Sequence, residues 1–262
     1  DIKPLPAKFK FLVQIIAAVI VIRSGVRIDH VSNPLHFMFP DIEYIIFGNW
    51  SYPLTLLWIV GVTNAINLVD GLDGLAAGIS IISAVTLFVA AQTTGQGFAA
   101  FLASILAAST LGFLPYNFNP AKIFMGDTGA LFLGYMLSVI SVMGVLKGAA
   151  ALSILVPIFA IGLPIYDTLF AMIRRASNGK SMMEADKGHL HHKLLDAGMS
   201  QRQAVITLYS ISAVLGFSAV VLVEATLKVA FVLVFAVFLL ASMGAKYLSQ
   251  VEVDQGSNKA DL

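Results

Sequence analysis

The chain has 262 residues, of which 58% are hydrophobic and only 12% are charged, and its formal net charge is +1. A soluble domain carries about twice that share of charged residues, so the composition indicates a membrane protein. The small net charge gives no indication of nucleic-acid binding, and the absence of cysteine excludes disulfides, thiol nucleophiles and cysteine-ligated metals.

Apolar runs near the length of a membrane-spanning helix recur along the chain and predict an all-α, polytopic membrane protein with about eight spans. We expect residues 1–248 to form one membrane domain and residues 249–262 a polar tail. Pro157 and Pro164 predict a kink in the sixth span. The predicted spans are residues 8–23, 53–69, 75–92, 98–114, 130–146, 149–173, 204–222 and 229–248.

Alternating spans divide the connections between two faces of the membrane. One face holds the N-terminus, the loops near residues 70, 122 and 188, and the C-terminus, and it carries twelve of the sixteen Lys and Arg residues. The positive-inside rule places this face in the cytosol. Acidic and histidine residues fall in three loops of the same face, which indicates one site built from several loops.

The second and third spans are joined through NAINLVDGLDGLAAG, at residues 64–78. Asn64, Asn67, Asp70 and Asp73 recur every third residue, so a continuing helix would keep them near one face. The two Asp-Gly pairs are also typical of an ordinary turn. Two amides at the lipid edge cost free energy unless they bind something, which favours a functional loop.

The sequence PYNFNPAKIFMGDTGALFLGY, at residues 115–135, leads into the fifth span. Either Asp127 or Thr128 caps this helix, or Asp127 binds a metal beside a helix N-terminus that favours phosphate. Mg²⁺ needs few carboxylates and leaves room for phosphate oxygens and water. Lys122 is a candidate phosphate contact or a topology signal.

Asp167 lies late in the sixth apolar run, where a carboxylate needs a partner. Arg174, two helical turns further on, would give a structural ion pair. The alternative is an acidic residue that faces a shared polar cavity. Arg174 and Arg175 are either topology signals or ligands of a diphosphate.

The loop DKGHLHHKL, at residues 186–194, carries three histidines. Two histidines three residues apart can share a helix face, but no HExxH pattern is present, so a zinc site has weak support. We expect His189, His191 and His192 to donate to phosphate or to a nucleobase. A solvated basic loop is the alternative.

Together and in this order, the motifs resemble those of the polyprenyl-phosphate N-acetylhexosamine-1-phosphate transferases. That family includes the enzymes that begin teichoic acid, O-antigen and enterobacterial common antigen synthesis, and the peptidoglycan translocase. The quoted stretches are similar to its NAxNxxDGxDGLA motif, its PAxxFMGDxGxxxLG motif and its later cytosolic motif, for which PIYDTLFAMIRR precedes the histidine loop. HLHH resembles the HIHH form of UDP-GlcNAc-type members, whereas the translocase carries an HHH-type loop.

The resemblance implies transfer of GlcNAc-1-phosphate from UDP-GlcNAc to undecaprenyl phosphate, with release of UMP, at the cytosolic face of a bacterial plasma membrane. Its implied cofactor is Mg²⁺, with Mn²⁺ as an alternative, held by Asn67 and Asp127. The lipid bilayer is a partner, and a homodimer is an open option. The implied catalytic residues are Asp1, Asp70, Asp73 and Asp127. The implied substrate-binding residues are Asn64, Asn67, Asn119, Lys122, Asp167, Arg174, Arg175, His189, His191 and His192.

One departure concerns an adjacent Asp-Asp pair of the family, whose second member aligns with Asp1. We therefore expect the chain to begin inside a catalytic motif and to be inactive on its own. Two alternatives remain: the peptidoglycan translocase activity, and a membrane transporter. A transporter predicts polar residues near the membrane midplane and functional loops on both faces, whereas here they crowd one face.

Overall fold

The computed structural model describes residues 6–33, 39, 41–144, 154–177, 179, 188–226, 228–240 and 242. Most of these residues are helical, as predicted, because a chain inside lipid must satisfy its backbone hydrogen bonds within each segment. The helices are α1 (Ala7–Arg23), α2 (Ser51–Val69), α3 (Leu75–Thr93), α4 (Gly97–Asn117), α5 (Gly126–Gly144), α6 (Leu155–Ala160), α7 (Gly162–Ser177), α8 (Leu190–Asp196), α9 (Gln201–Glu224) and α10 (Lys228–Leu240).

Within the described residues, five helices are long and apolar enough to cross a membrane. They are α2, α3, α4, α5 and α9, and they match the second to fifth and the seventh predicted spans. The first predicted span is the 17-residue α1, and the shorter apolar helix α10 covers the beginning of the eighth. The end of the eighth span and the predicted tail lie outside the described residues.

The sixth predicted span, residues 149–173, contains two helices within its described part. α6 ends at Ala160, Ile161 follows, and α7 begins at Gly162. Pro164 lies in the first turn of α7, where its missing N–H removes no intrahelical hydrogen bond. The interruption expected from the prolines is therefore present. α7 continues to Ser177 and carries Arg174 and Arg175 in its last turn.

The largest hydrophobic cluster of the described residues joins α2, α3, α4, α5, α6, α9 and α10 and includes Ile66, Leu87 and Leu137. Close packing of α5 on α2 depends on Gly134, because a Cβ at this position would lie 2.8 Å from the Cα of Thr63. Small residues favour such close helix crossings in membranes. This crossing brings the end of α2 to the beginning of α5, where the predicted site lies.

The connection between α1 and α2, which joins the first two predicted spans, contains a short hairpin. β1 (His30–Ser32) pairs antiparallel with β2 (Tyr44–Ile46), with His30 opposite Ile46. A 3₁₀ turn, Gly48–Trp50, then leads into α2. The hairpin precedes α2 while the DGLDG sequence follows it, so the two lie at opposite ends of that helix.

Candidate active site at one end of the helical bundle

Asp127 lies in the first turn of α5, where the helix dipole favours a negative charge. Its Oδ1 accepts a 3.0 Å hydrogen bond from Nδ2 of Asn67, near the end of α2. Its Oδ2 forms an ion pair with the ammonium group of Lys10 on α1. Asp127 and Thr128 both lie inside α5 rather than before it, so the helix-capping interpretation is wrong. Side chains from three helices meet at one carboxylate.

About one helical turn away, a second polar contact joins α1 to α2. Asn64 donates to Oε1 of Gln14 at 2.6 Å and to the carbonyl of Val60 at 2.8 Å. Gln14 and Lys10 are four residues apart and share a face of α1, so the amide pair also orients Lys10. The structure therefore places Asn64 in helix packing, and its role in substrate binding stays a prediction.

Asp70 follows α2 as its C-cap residue and is partly buried. Burial is the largest cause that raises the pKa of its carboxyl to about 6, followed by repulsion from Asp127 and Asp73. The three carboxylates therefore lie close enough for their charges to oppose the ionisation of Asp70. A cation among them would relieve this repulsion.

Asp73 binds two residues of the connection between α4 and α5. Its Oδ2 accepts hydrogen bonds of 3.1 Å from Nδ2 of Asn119 and from the backbone N–H of Ala121. Asn119 also donates to Oε1 of Gln201, the first residue of α9, at 2.8 Å. Lys122 lies on the same connection and is exposed. The geometry gives Asp73 and Asn119 an organising role, and their catalytic and binding roles stay predictions.

The beginning of α3 packs closely against α9. The hydroxyl of Tyr209 donates to the carbonyl of Gly74, whose φ of 80° favours glycine. A Cβ at Gly78 would collide with the Tyr209 ring. The glycine pattern of the loop therefore serves turn geometry and helix packing.

Asp167 is buried on α7, with 4% of the residue exposed. Its Oδ2 lies 2.8 Å from Nδ1 of His189, and its Oδ1 accepts from the backbone N–H of Leu190 at 2.8 Å. Arg174 donates to the carbonyl of Gly188, also at 2.8 Å. Asp167 therefore has a structural side-chain partner, but this partner is His189 and not Arg174 as predicted. Both α7 side chains therefore bind residues at the beginning of α8, which forms where a loop was predicted.

The three histidine rings form a row that begins at Asp167. The rings of His189 and His191 are nearly parallel, with centroids 5.8 Å apart, and His192 lies 4.3 Å beyond His191. A Cβ at Gly71 would collide with the His191 ring, so this ring packs directly on the α2–α3 loop. Burial, followed by repulsion from His192, lowers the pKa of His191 to about 4. His191 is therefore neutral near pH 7, and the partly exposed His192 forms the outer end of the row.

The donor atoms at this end of the bundle fit a hard divalent cation. Asp127 and Asp70 would supply carboxylate oxygens, and a rotated Asn67 amide would supply a neutral oxygen. In the part of the chain that the structure describes, no three His, Cys, Asp or Glu side chains form a ready metal site. Such a donor set suits Mg²⁺, which commonly keeps waters and shares phosphate oxygens. Asp1, the remaining predicted catalytic residue, lies outside the described residues.

Sequence reasoning missed several residues that organise this region. Lys10 counted only toward topology, and Gln14, Gln201 and Tyr209 were not singled out. A signal was available for the first two, because a lysine and a glutamine four residues apart on an apolar helix share one face. Gln201 and Tyr209 contact residues that are distant in sequence, so no local pattern indicates their roles.

Apolar helices with polar connections gathered at one end define a polytopic membrane protein whose candidate site lies at a membrane boundary. The glycosyl transferase family 4 profile matches residues 1–145. This match covers more than half of the 262-residue chain, and the chain belongs to that family.

Three curated relatives illustrate the similarity. A probable undecaprenyl-phosphate N-acetylglucosaminyl 1-phosphate transferase of Bacillus subtilis is 47% identical over 231 residues, which are 88% of this chain and 63% of the relative. A decaprenyl-phosphate N-acetylglucosaminephosphotransferase of Mycolicibacterium smegmatis is 37% identical, over 82% of this chain and 57% of the relative. A phospho-N-acetylmuramoyl-pentapeptide-transferase of Staphylococcus aureus is 34% identical, over 81% and 64%. The chain spans less than two thirds of the length of each.

Proposed function

We propose that the protein transfers N-acetylglucosamine-1-phosphate from UDP-GlcNAc to undecaprenyl phosphate and releases UMP. The observation that carries this proposal is the convergence of Asp127, Asn67, Asp70 and Lys10 where apolar helices end. A lipid phosphate would reach such a site with its chain in the bilayer and its headgroup among these side chains. The names of the Bacillus and Mycolicibacterium relatives support this choice of substrates.

In this reaction, an oxygen of the lipid phosphate forms a bond to the β-phosphorus of the donor. The bond from that phosphorus to the oxygen bridging the two phosphates breaks, and UMP leaves with the bridging oxygen and its electron pair. A bound Mg²⁺, or Mn²⁺, would supply charge neutralisation between the two phosphate-bearing substrates. Asp127 and Asn67 would hold that ion, and Asp70 and Asp73 would position it or the substrates. By family resemblance, Asp1 joins them as a base or nucleophile.

The histidine row would hold the donor beside these groups. His192 is the partly exposed member and would contact the nucleotide or its diphosphate, while His191 and His189 orient it. Arg175 and Lys122 are further candidate contacts for phosphate. Arg174 would act mainly through the Gly188 backbone, which it binds.

The distribution of basic residues supports a location of this end at the cytosolic face of a bacterial plasma membrane. UDP-sugars are cytosolic substrates, so the orientation and the donor agree. A membrane transporter receives less support, because the polar contacts lie at one end of the helices and the chain belongs to a transferase family.

A test measures UMP release by the purified full-length protein with UDP-GlcNAc, a polyprenyl phosphate and Mg²⁺. Asp127→Asn should lower kcat by at least about 100-fold, the scale for loss of one group that stabilises developing charge. Asp41→Asn is the matched control, because Asp41 lies beside the hairpin at the other end of α2 and is exposed. Equal rates for wild type and Asp127→Asn would contradict the proposed site.

The Staphylococcus relative supports one second candidate, a donor that carries N-acetylmuramoyl-pentapeptide. Side-by-side assays with UDP-GlcNAc and UDP-N-acetylmuramoyl-pentapeptide separate the two. Activity with only the second donor would replace the proposed substrate while leaving the reaction type intact.

A further inference from the structure

Both carboxylate oxygens of Asp127 are already bound to N–H donors. Oδ1 accepts from Asn67 at 3.0 Å, and Oδ2 is paired with the Lys10 ammonium group. A divalent cation cannot share Oδ2 with an ammonium group at contact distance, because the two positive charges repel and an ammonium nitrogen has no lone pair to offer. Metal binding at Oδ2 of Asp127 therefore requires Lys10 to move away, whereas rotation of the Asn67 amide frees only Oδ1.

Lys10 is held at this position by its own helix. Gln14, one turn further along α1, is locked to Asn64 of α2 by a 2.6 Å hydrogen bond. The amide pair fixes the rotation of α1, so the lysine side chain faces Asp127. The Lys10 side chain is 28% exposed, so it has an open direction in which to move.

The charge balance also favours a cation at this place. Asp70 is an acidic neighbour of Asp127, and Lys10 supplies the positive charge beside Asp127. A lysine displaced by a metal would need a new anionic partner. Phosphate oxygens of a ligand bound at the same site would provide one, and an ammonium group binds phosphate readily.

We propose that Lys10 occupies the cation position on Asp127 when no divalent metal is bound, and that it passes to a phosphate oxygen of the ligand when the metal enters. This inference rests on the proposed function, because it takes the metal site from it. Two consequences follow from linkage. Lys10 weakens metal binding in the absence of a phosphate ligand, and it makes metal and phosphate ligand strengthen the binding of each other.

The test is a Mn²⁺ titration of the full-length protein in detergent, followed by the loss of the free-Mn²⁺ electron paramagnetic resonance signal. Lys10→Met should bind Mn²⁺ about tenfold more tightly than wild type without substrate, as expected for removal of a competing charge. In wild type, UDP-GlcNAc should tighten Mn²⁺ binding by about tenfold, within the usual range of coupling between two ligands. In Lys10→Met, most of this coupling should disappear.

Arg23→Met is the matched control, because it removes one positive charge from the exposed far end of the same helix. It should behave as wild type in both titrations. Lys10→Arg keeps the charge and should retain weak metal binding and the coupling. This variant, with melting temperatures for all proteins, separates charge competition from a folding defect in Lys10→Met.

A second arm replaces UDP-GlcNAc with a short-chain polyprenyl phosphate. Coupling with only one of the two ligands would show which substrate's phosphate receives Lys10. Unchanged Mn²⁺ affinity in Lys10→Met, or full coupling without Lys10, would overturn the inference. Failure of the metal site itself would look different, because Asp127→Asn would then bind Mn²⁺ as wild type does.

Discussion

Asp127 and Asp167 are two carboxylates with the same number of described hydrogen-bonding partners and very different surroundings. The Asp127 side chain is 42% exposed, and both of its partners are side-chain nitrogens from other helices. The Asp167 side chain is 6% exposed, and its partners are a buried imidazole and a backbone N–H. The partners of Asp127 can exchange, whereas those of Asp167 are fixed by the fold.

The difference in surroundings indicates different roles for the two carboxylates. A carboxylate with movable partners and open access can accept a metal or a substrate, because it loses little when those partners leave. A buried carboxylate that satisfies a backbone N–H cannot release it without leaving a buried polar group unpaired. We therefore infer that Asp127 takes part in the reaction, while Asp167 supports it by holding the histidine loop.

The test with the largest expected effect compares how substitution of each aspartate changes the free energy of unfolding. Asp167→Ala should lower the free energy of unfolding by about 3–5 kcal/mol, because it leaves His189 and the Leu190 N–H buried without a partner. Asp127→Asn should change it by less than about 1 kcal/mol, since the site is exposed and crowded with negative charge. Thermal and denaturant unfolding in detergent measure both. A stable Asp167→Ala protein would remove the distinction.

Acidification should reduce the contribution that His191 makes to the stability of the folded protein. Between its ordinary pKa of 6.5 and its folded value of about 4, His191 takes up a proton in the unfolded chain but not in the folded one. The contribution of His191 to stability should therefore fall as the pH decreases through this window, by at most about 3 kcal/mol. Asp70, whose pKa is raised to about 6, adds stability as the pH decreases over an overlapping range, so the loss from His191 is measured as a difference between variant and wild type. Asp167, His189 and His192 surround this ring and set the size of the effect.

Unfolding curves at several pH values measure this loss. Relative to wild type, His191→Gln should gain stability as the pH decreases between 6.5 and about 4, because the variant lacks the loss that His191 causes. His30→Gln, on the distant hairpin, should keep the wild-type dependence. An unchanged slope in His191→Gln would show that another group titrates there.

Gly71→Ala should push the α2–α3 loop away from the His191 ring. The added methyl group would collide with the His191 ring, so the loops must part at a cost of about 1–3 kcal/mol. The rate of transfer should fall, because His192 would move relative to Asp70. Gly112→Ala is the control, since a Cβ there has no atom within 4 Å. Similar melting temperatures and rates for both variants would contradict the contact.

The smallest effect concerns the amide pair that orients Lys10. A double-mutant cycle with Gln14→Leu and Asn64→Leu should give a coupling free energy of about 0.6 kcal/mol, the average for side-chain hydrogen bonds between membrane helices. Unfolding in detergent measures stability for the four proteins of the cycle. Strictly additive changes would show that the 2.6 Å hydrogen bond contributes nothing to stability.

Much of the fold follows from local sequence. Apolar length predicted α2, α3, α4, α5 and α9 closely, because each span satisfies its own backbone. The break near Ile161 followed from the neighbouring prolines in the same local way.

The partners in the site were harder to predict, because they depend on how helices rotate and cross. Lys10 and Asp127 are 117 positions apart, and no local pattern relates them. Sequence spacing made Arg174 one candidate partner of Asp167, since both were expected on nearly the same face of one helix. The competing partner, His189, comes from a loop that folds back over this helix, and only the tertiary structure reveals it.

The close crossing of α2 and α5 also makes a remote packing position part of the site's geometry. Gly134 is seven residues from Asp127 along α5, about 10 Å, and Thr63 is one turn from Asn67 along α2. Helices bend little over such lengths. A methyl group at position 134 would therefore push α2 and α5 apart along the whole segment. It would widen the gap that the amide of Asn67 spans. The fit of the proposed metal ion between those two side chains would thus be set in part by the absence of a single carbon atom inside the helical bundle.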